Sequence, residues 1–221
     1  AGGSWARHPI GPAYPGKKGK KMGTHRFSHG LGVGDLDGDG RKDLLIYCGW
    51  FRAPKDLRKG AWTFHPCDIT GNRCAHLRVL DADGDGDRDV ISSAAHDYGL
   101  WWSENTGGSG GAMRFKKHLI FKEFSQLHAI NLADIDGDGL QDLVTGKRWY
   151  AHNGKDPGGT DPAVLYWFRL EREGAAPRWA PHRIDDDSGV GTQFVTADIS
   201  GDKKIDIAVS NKKGTFVFLQ K

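Results

Sequence analysis

Three stretches of the chain repeat one arrangement of carboxylates: Asp35-Leu-Asp37-Gly-Asp39-Gly-Arg41-Lys-Asp43, Asp81-Ala-Asp83-Gly-Asp85-Gly-Asp87-Arg-Asp89 and Asp134-Ile-Asp136-Gly-Asp138-Gly-Leu140-Gln-Asp142. A fourth is altered: Asp198-Ile-Ser200-Gly-Asp202-Lys203-Lys204-Ile-Asp206. Acids crowded this closely repel by roughly 1–4 kcal/mol per close pair, so a folded turn of this kind implies a cation. The spacing suits a hard one. Side chains at positions 1, 3 and 5 converge, the backbone carbonyl at position 7 (Arg41, Asp87, Leu140, Lys204) joins them, and the acid at position 9 closes the shell. Glycines at 4 and 6 permit the tight turn, and an oxygen-only donor set favours calcium. A single copy would read equally well as a solvated acidic turn; three clean copies favour the metal. In the fourth, Ser200 replaces an acid, Lys203 replaces the second glycine and Lys204 adds charge. That turn is expected to bind calcium weakly or not at all and to rely on hydrogen bonds, with Lys203 ill suited to a positive φ.

The turns begin at residues 35, 81, 134 and 198, a period in the range of solenoids, propellers and arrays. The flanks repeat as well. Leu31–Val33, Leu77–Leu80, Ile130–Leu132 and Phe194–Thr196 precede the turns as short apolar strands; Leu44–Ile46, Val90–Ile91, Leu143–Val144 and Ile207–Val209 follow them. An aromatic strand comes next, around Trp50, Trp101–Trp102, Tyr166–Phe168 and Phe216–Phe218. The last strand carries an aromatic and then a histidine, at His65, His118 and His182, with a further copy at Trp5–Ile10 that holds His8. Four short strands per unit, repeated, predict an all-β fold, a β-propeller of four-stranded blades with four blades in this chain. The blades are expected at about 24–69, 72–120, 125–184 and 192–219 plus 5–10, in a single domain over 1–221. Either the N-terminal strand closes the ring by joining the last blade, or the four blades are a fragment of a larger propeller.

The DxDGDGxxD turn between two strands resembles the FG-GAP/VCBS repeat family, which includes the integrin α-subunit propeller, over about residues 24 to 219. Stretches around His96–Trp102, Arg148–His152 and Asp185–Gln193 are similar to secreted bacterial VCBS-repeat proteins of the planctomycete type. The resemblance implies the propeller and calcium; it implies an activity only weakly, because propellers host many functions.

Composition sharpens the expectation about partners. The formal charge is +3, but 15 of the 28 acids stand at ligand positions of the turns, leaving 13 against 31 Lys and Arg. With metal bound, the remaining surface is basic and attracts anions. An anionic polysaccharide or a protein partner is expected, with no nucleic acid and no membrane insertion; no long apolar run is present. Scattered solubilising charge is the plainer alternative. Weak calcium sites fill only where calcium is abundant, so an extracellular or periplasmic location is expected. The Ala-Gly-Gly-Ser start suits a processed chain. Of the cysteines, Cys67 and Cys74 flank a short turn and are able to pair, leaving Cys48 free.

Alternation places the start of each first strand and the end of each second strand on one face, opposite the acidic turns. That face collects His29, His76, His128 and Gln193 with Trp50, His96, Tyr98, Lys147, Arg148, Trp149, Lys212 and Lys213. His29 and His128 stand six residues before their turns and match in register, whereas His76 stands five before and points away unless a bulge intervenes; packing between blades is the plainer reading of each. Lys147, Arg148, Lys212 and Lys213 are candidates for holding an anion, and Trp50, Trp101, Trp102, Trp149 and Tyr150, with Tyr98, for contacting a sugar ring; packing between blades is the plainer reading of these aromatics. Two functions follow. One is binding of anionic carbohydrate through this face. The other is a sugar-processing lyase or dehydratase, in which His29, His96 and His128 hold a second metal such as zinc or move a proton, and Lys147 and Arg148 neutralise the substrate. A purely architectural module is a third reading. The outer histidines at positions 8, 65, 118 and 182 are expected to pack on neighbouring aromatics.

Overall fold

The computed structural model describes residues 3–11, 29–70, 74–108, 112–174 and 176–221. The basic run at 17–21 and the expected beginnings of the first two blades lie outside these residues. The chain forms four antiparallel sheets in sequence order. The first holds β1 (Gly32–Gly34), β2 (Asp43–Ile46), β3 (Gly49–Arg52) and β4 (Thr63–Pro66). The second holds β5 (Leu77–Leu80), β6 (Asp89–Ser93), β7 (Tyr98–Asn105) and β8 (Phe115–Ser125). β9 (Ile130–Ala133), β10 (Asp142–Gly146), β11 (Leu165–Glu171) and β12 (Arg178–Asp185) make the third, and β13 (Phe194–Ala197), β14 (Asp206–Asn211) and β15 (Gly214–Phe218) the fourth. Each sheet is a meander, and the acidic turns join its first two strands. The fold is a β-propeller of four blades, the last one three-stranded. Among the described residues no helix is long and apolar enough to cross a membrane.

The blades pack through three separate apolar clusters, one per junction. Leu36, Leu45, Trp50, Ile69, Leu77 and Val90 join the first blade to the second. Leu80, Ile91, Leu100, Trp102, Phe168 and Trp179 join the second to the third, and Val144, Leu165, Val190, Phe194, Ile207 and Val209 the third to the fourth. Near the axis the inner strands approach closely. A Cβ at Gly34 would stand 2.5 Å from Cβ of Val79, so only glycine lets β1 lie against β5 there. Hydrogen bonds repeat along the same seam: Arg78 donates to the Ile130 carbonyl at 2.7 Å and Asn131 to the Phe194 carbonyl at 3.0 Å.

The outer histidines act as expected in three blades. His65 stacks on Trp50, His118 on Trp102 and His182 on Trp167, with ring centroids 4.4–4.8 Å apart. Each pair faces across the third and fourth strands. Residues 5–10, by contrast, form no strand, and Trp5 is 99% exposed. The outer place beside β15 is not taken by them. Gly11 lies instead against the Phe51 ring of the first blade, and no packing comparable to the other junctions brings β13 to β1 among the described residues. Closure by that strand needs both. Consequently the outward faces of the two end blades keep exposed apolar residues, Leu31 and Val33 on one and Val195 and Val217 on the other. The Cys67–Cys74 pairing is not formed either: all three cysteines are free thiols. Cys67 hydrogen-bonds across the hairpin to Cys48, while Cys74 is buried beside Gly30.

The altered fourth turn keeps the shape of the others. Lys203 adopts φ 71°, in the region where Gly40, Gly86 and Gly139 sit at 85–95°, the conformation expected to strain a lysine. Its N–H donates to Asp198 at 2.9 Å, and Gly201 and Asp202 donate to the same carboxylate. Three hydrogen bonds hold the backbone against the steric cost of the left-handed region. That cost is about 1–2 kcal/mol, partly offset in a glycine variant by a freer unfolded chain. Lys203→Gly is therefore expected to stabilise the protein by about 0.5–1 kcal/mol in urea unfolding; a loss of stability would contradict this account of the turn.

Candidate metal and ligand site

The acidic turns share one internal wiring. The position-3 carboxylate accepts the N–H of position 5, as in Asp37 to Asp39, Asp83 to Asp85 and Asp136 to Asp138. The position-5 carboxylate accepts the N–H of position 7, from Arg41, Asp87, Leu140 and, in the fourth turn, Lys204. Carboxylate oxygens of Asp35, Asp37 and Asp39, of Asp81, Asp83 and Asp85, and of Asp134, Asp136 and Asp142 lie within 4.8 Å of one another in each set. Asp35 Oδ1 is buried with no hydrogen-bond partner. These donor sets fit a hard divalent cation such as calcium. The fourth turn, with Ser200 between Asp198 and Asp202, yields no such set among the described residues. Arginines also meet the acids: Arg52 and Arg41 in the first turn, and Arg169 at 2.6 Å from Asp136 in the third. Asp83 and Asp85 have no such partner among the described residues.

The ninth acid has a role that its spacing did not announce. Asp43, Asp89, Asp142 and Asp206 are buried. One oxygen of each accepts the N–H at position 2 of its own turn, from Leu36, Ala82, Ile135 and Ile199. The other accepts an N–H from the third strand or its end, at Ala53, Asn105, Leu170 and Gln220. Burial pushes Asp89 and Asp142 up to about 6 against these hydrogen bonds. The second lone pair on each oxygen of Asp43 and Asp142 remains for a cation, whereas Asp206 Oδ2 also accepts the Ser200 N–H at 2.8 Å.

At the opposite end of the blades the structure gathers histidines. The rings of His29, His96 and His128 stand with centroids 5.3–5.7 Å apart, and one nitrogen of each lies within 4.8 Å of the others. His29 Nδ1 is 2.9 Å from the Cys74 carbonyl, and its Nε2 is 3.2 Å from His96 Nε2. Asp156 bridges His96 Nδ1 at 3.2 Å and His152 Nδ1 at 3.0 Å. Burial disfavours the charge on Asp156, but its hydrogen bonds with the two imidazoles outweigh this and hold its acid strength high. Burial lowers His96 below the usual imidazole range despite Asp156. Burial, then the Arg148 charge, takes His128 down to about 3. Nδ1 of His128 is buried without a hydrogen-bond partner among the described residues.

His96 comes from the turn before β7, while His152 and Asp156 come from the long connection between β10 and β11. That connection is backbone-strained: Tyr150, His152 and Asn153 all have positive φ, and so does Gln126 nearby. Gln126 ties the region together, receiving N–H groups from His128 and Arg148 on its carbonyl. Left-handed non-glycine residues concentrate at functional sites because surrounding contacts must hold them. Spacing could not have revealed His152 and Asp156 as members, since the connection has no counterpart in the other blades.

Other predicted residues fall into two groups. Trp149, Tyr150, Lys212 and Lys213 meet on the same face: Lys213 Nζ lies 4.6 Å from the Trp149 ring centre and Lys212 Nζ 5.3 Å from that of Tyr150. Lys213 also pairs with Asp187. Tyr98 is close by, with its hydroxyl 3.1 Å from Asp161. Lys147 and Trp50 do not join as ligand contacts. Lys147 is fully buried, its ammonium donating to Ser125 Oγ at 2.9 Å and to the Gly158 carbonyl; it pins the β10–β11 connection. Trp50 is fully buried in the first junction under His65. His76 also stands apart, as its register predicts: Nδ1 accepts the Ile130 N–H at 3.2 Å.

The fold is a propeller whose first two strands in each blade are joined by the acidic turns. Residues 81–145, which run from the acidic turn of the second blade through the inner strands of the third, match the FG-GAP-like repeat. No curated protein matches the chain significantly. Among solved structures the chain is similar to an Agrocybe aegerita lectin described as recognising non-reducing terminal N-acetylglucosamine, at a TM-score of 0.52 and 20% identity. The match covers 86% of this chain and 49% of the lectin, so the chain spans about half its length.

His128 supplies a pH dependence. In the folded chain its ring stays neutral to about pH 3, whereas in the unfolded chain it takes a proton near 6.5. A lowered folded value means that stability is intact above about pH 6.5 and drains as pH falls below it. In chelator, moving from pH 7 to pH 5 should cost about 1–2 kcal/mol on this group, allowing for partial solvent screening. His128→Asn should shrink the measured loss by that amount; equal losses in both proteins would refute it.

Proposed function

We propose that the protein is a calcium-stabilised propeller, working outside the cytosol, that binds anionic carbohydrate through the face opposite the acidic turns. The observation that carries this reading is the shelf formed by Trp149, Tyr150, Lys212 and Lys213, where two aromatic rings lie beside two ammonium groups. Aromatic faces pack against the C–H face of a sugar ring, and lysine supplies a point charge for its carboxylate or sulfate. Likeness in fold to a protein described as a lectin supports the carbohydrate class; the anionic character rests on the lysines and on the basic remainder of the chain. Calcium would be held by the first three turns and would join the first two strands of each blade. A second reading, a sugar-processing lyase or dehydratase, is favoured by the histidine cluster and weakened by Lys147, whose amine is occupied within the fold.

Chromatography on heparin and on pectin, in calcium at moderate salt, tests the proposal. Retention is expected, with Lys212→Glu combined with Lys213→Glu eluting at clearly lower salt. Flow-through of the wild type on both matrices would overturn it. Chelation should lower the melting temperature sharply. Asp81→Ala should lower the calcium-bound melting temperature more than Asp198→Ala does, whereas equal effects would remove the distinction drawn between the turns.

A further inference from the structure

We propose that His29, His96 and His128 form a binding site for one divalent transition-metal ion, zinc being the ion this donor set suits best, separate from the acidic turns. A backbone carbonyl and an ionised carboxylate only accept hydrogen bonds. The Cys74 carbonyl therefore requires the hydrogen of His29 on Nδ1, and Asp156 requires that of His96 on Nδ1. Both neutral rings then present bare Nε2 lone pairs, and these face each other at 3.2 Å. Two lone pairs at that distance repel unless a shared proton or a metal cation lies between them, and the other groups around the rings favour the metal. Nitrogens bound at about 2.0–2.1 Å to one tetrahedral zinc stand about 3.3 Å apart, close to the separation seen.

The surrounding groups fit the same purpose. Metal-bound imidazoles usually give their second nitrogen to a carbonyl or carboxylate that fixes ring orientation; Cys74 and Asp156 occupy those places. His128 adds a third ring whose buried Nδ1 has no partner among the described residues. Packing accounts for other histidines of the chain: His65, His118 and His182 lie on tryptophans, and His76 caps the Ile130 N–H. It does not account for these three. His152, stacked on His96 and bonded to Asp156, steadies the orienting carboxylate. Three protein nitrogens leave the fourth position of a tetrahedral ion open to water or a ligand oxygen.

The test uses the full chain, stripped by chelator and returned to excess calcium so that the acidic turns hold the hard cation. Zinc chloride is then titrated calorimetrically. One equivalent should bind. His96→Ala and His128→Ala should each weaken binding at least tenfold, Asp156→Asn by about 10–100-fold, and the rim variant His182→Ala should leave it unchanged. No zinc uptake by the wild type, or wild-type affinity in His128→Ala, would overturn the proposal. Should the variants fail to fold, cobalt(II) added to the wild type still decides. Visible bands of a tetrahedral nitrogen-ligated ion are expected, and a spectrum of aqueous cobalt alone would refute the site. Because retention on polysaccharide is read separately, failure of this site and failure of carbohydrate binding are distinguishable.

Discussion

Each blade is organised around one buried carboxylate. At Asp43, Asp89, Asp142 and Asp206 a single side chain receives an N–H from the start of the turn and another from the third strand or its end. The turn, the second strand on which the acid stands, and the third strand are thereby fixed to one another. A buried carboxylate is costly without such partners, and the two backbone donors would be orphaned without it. The acids at positions 1, 3 and 5 then fold over this anchor in turns that cap themselves. This explains why the fourth turn survives the loss of one acid and the presence of Lys203: its anchor, Asp206, is intact.

The same economy places the ligand face. Strands pinned at the acidic end deliver their far ends to a common mouth, where the geometry repeated between blades stops and blade-specific connections begin. The first, second and third blades bring His29, His96 and His128. The connection between β10 and β11 adds Asp156, and the β14–β15 turn brings Lys212 and Lys213 beside Trp149 and Tyr150. Buried Lys147 holds that connection from beneath, which trades a solvent-facing cation for a fixed loop.

Much of this was readable from residues alone, and the reason is periodicity. The spaced acids, alternating apolar runs and recurrent histidines are local patterns that each blade repeats, so strand order and rim stacking could be foreseen. What could not be foreseen depends on tertiary contact. Nothing near Trp50 in the sequence distinguishes a buried indole from an exposed one, and Lys147 reads as a surface cation until Ser125 and Gly158 close over it. The membership of His152 and Asp156 depends on a strained connection that occurs once. At Lys203 the strain could be foreseen but not what holds it: a steric preference of about 1–2 kcal/mol yields to three hydrogen bonds on one carboxylate.

The three apolar clusters are separate, one to each junction, and no cluster spans more than two blades. Cohesion in such an arrangement approximates a sum over neighbours, as in linear repeat arrays. Among the described residues the second and third blades are gripped on both sides and the first and fourth on one, so protection of amide hydrogens should grade outward from the middle rather than rise and fall as a single unit. The histidine mouth draws on the first blade as well as the central pair, which makes its geometry sensitive to fraying at one end of the series.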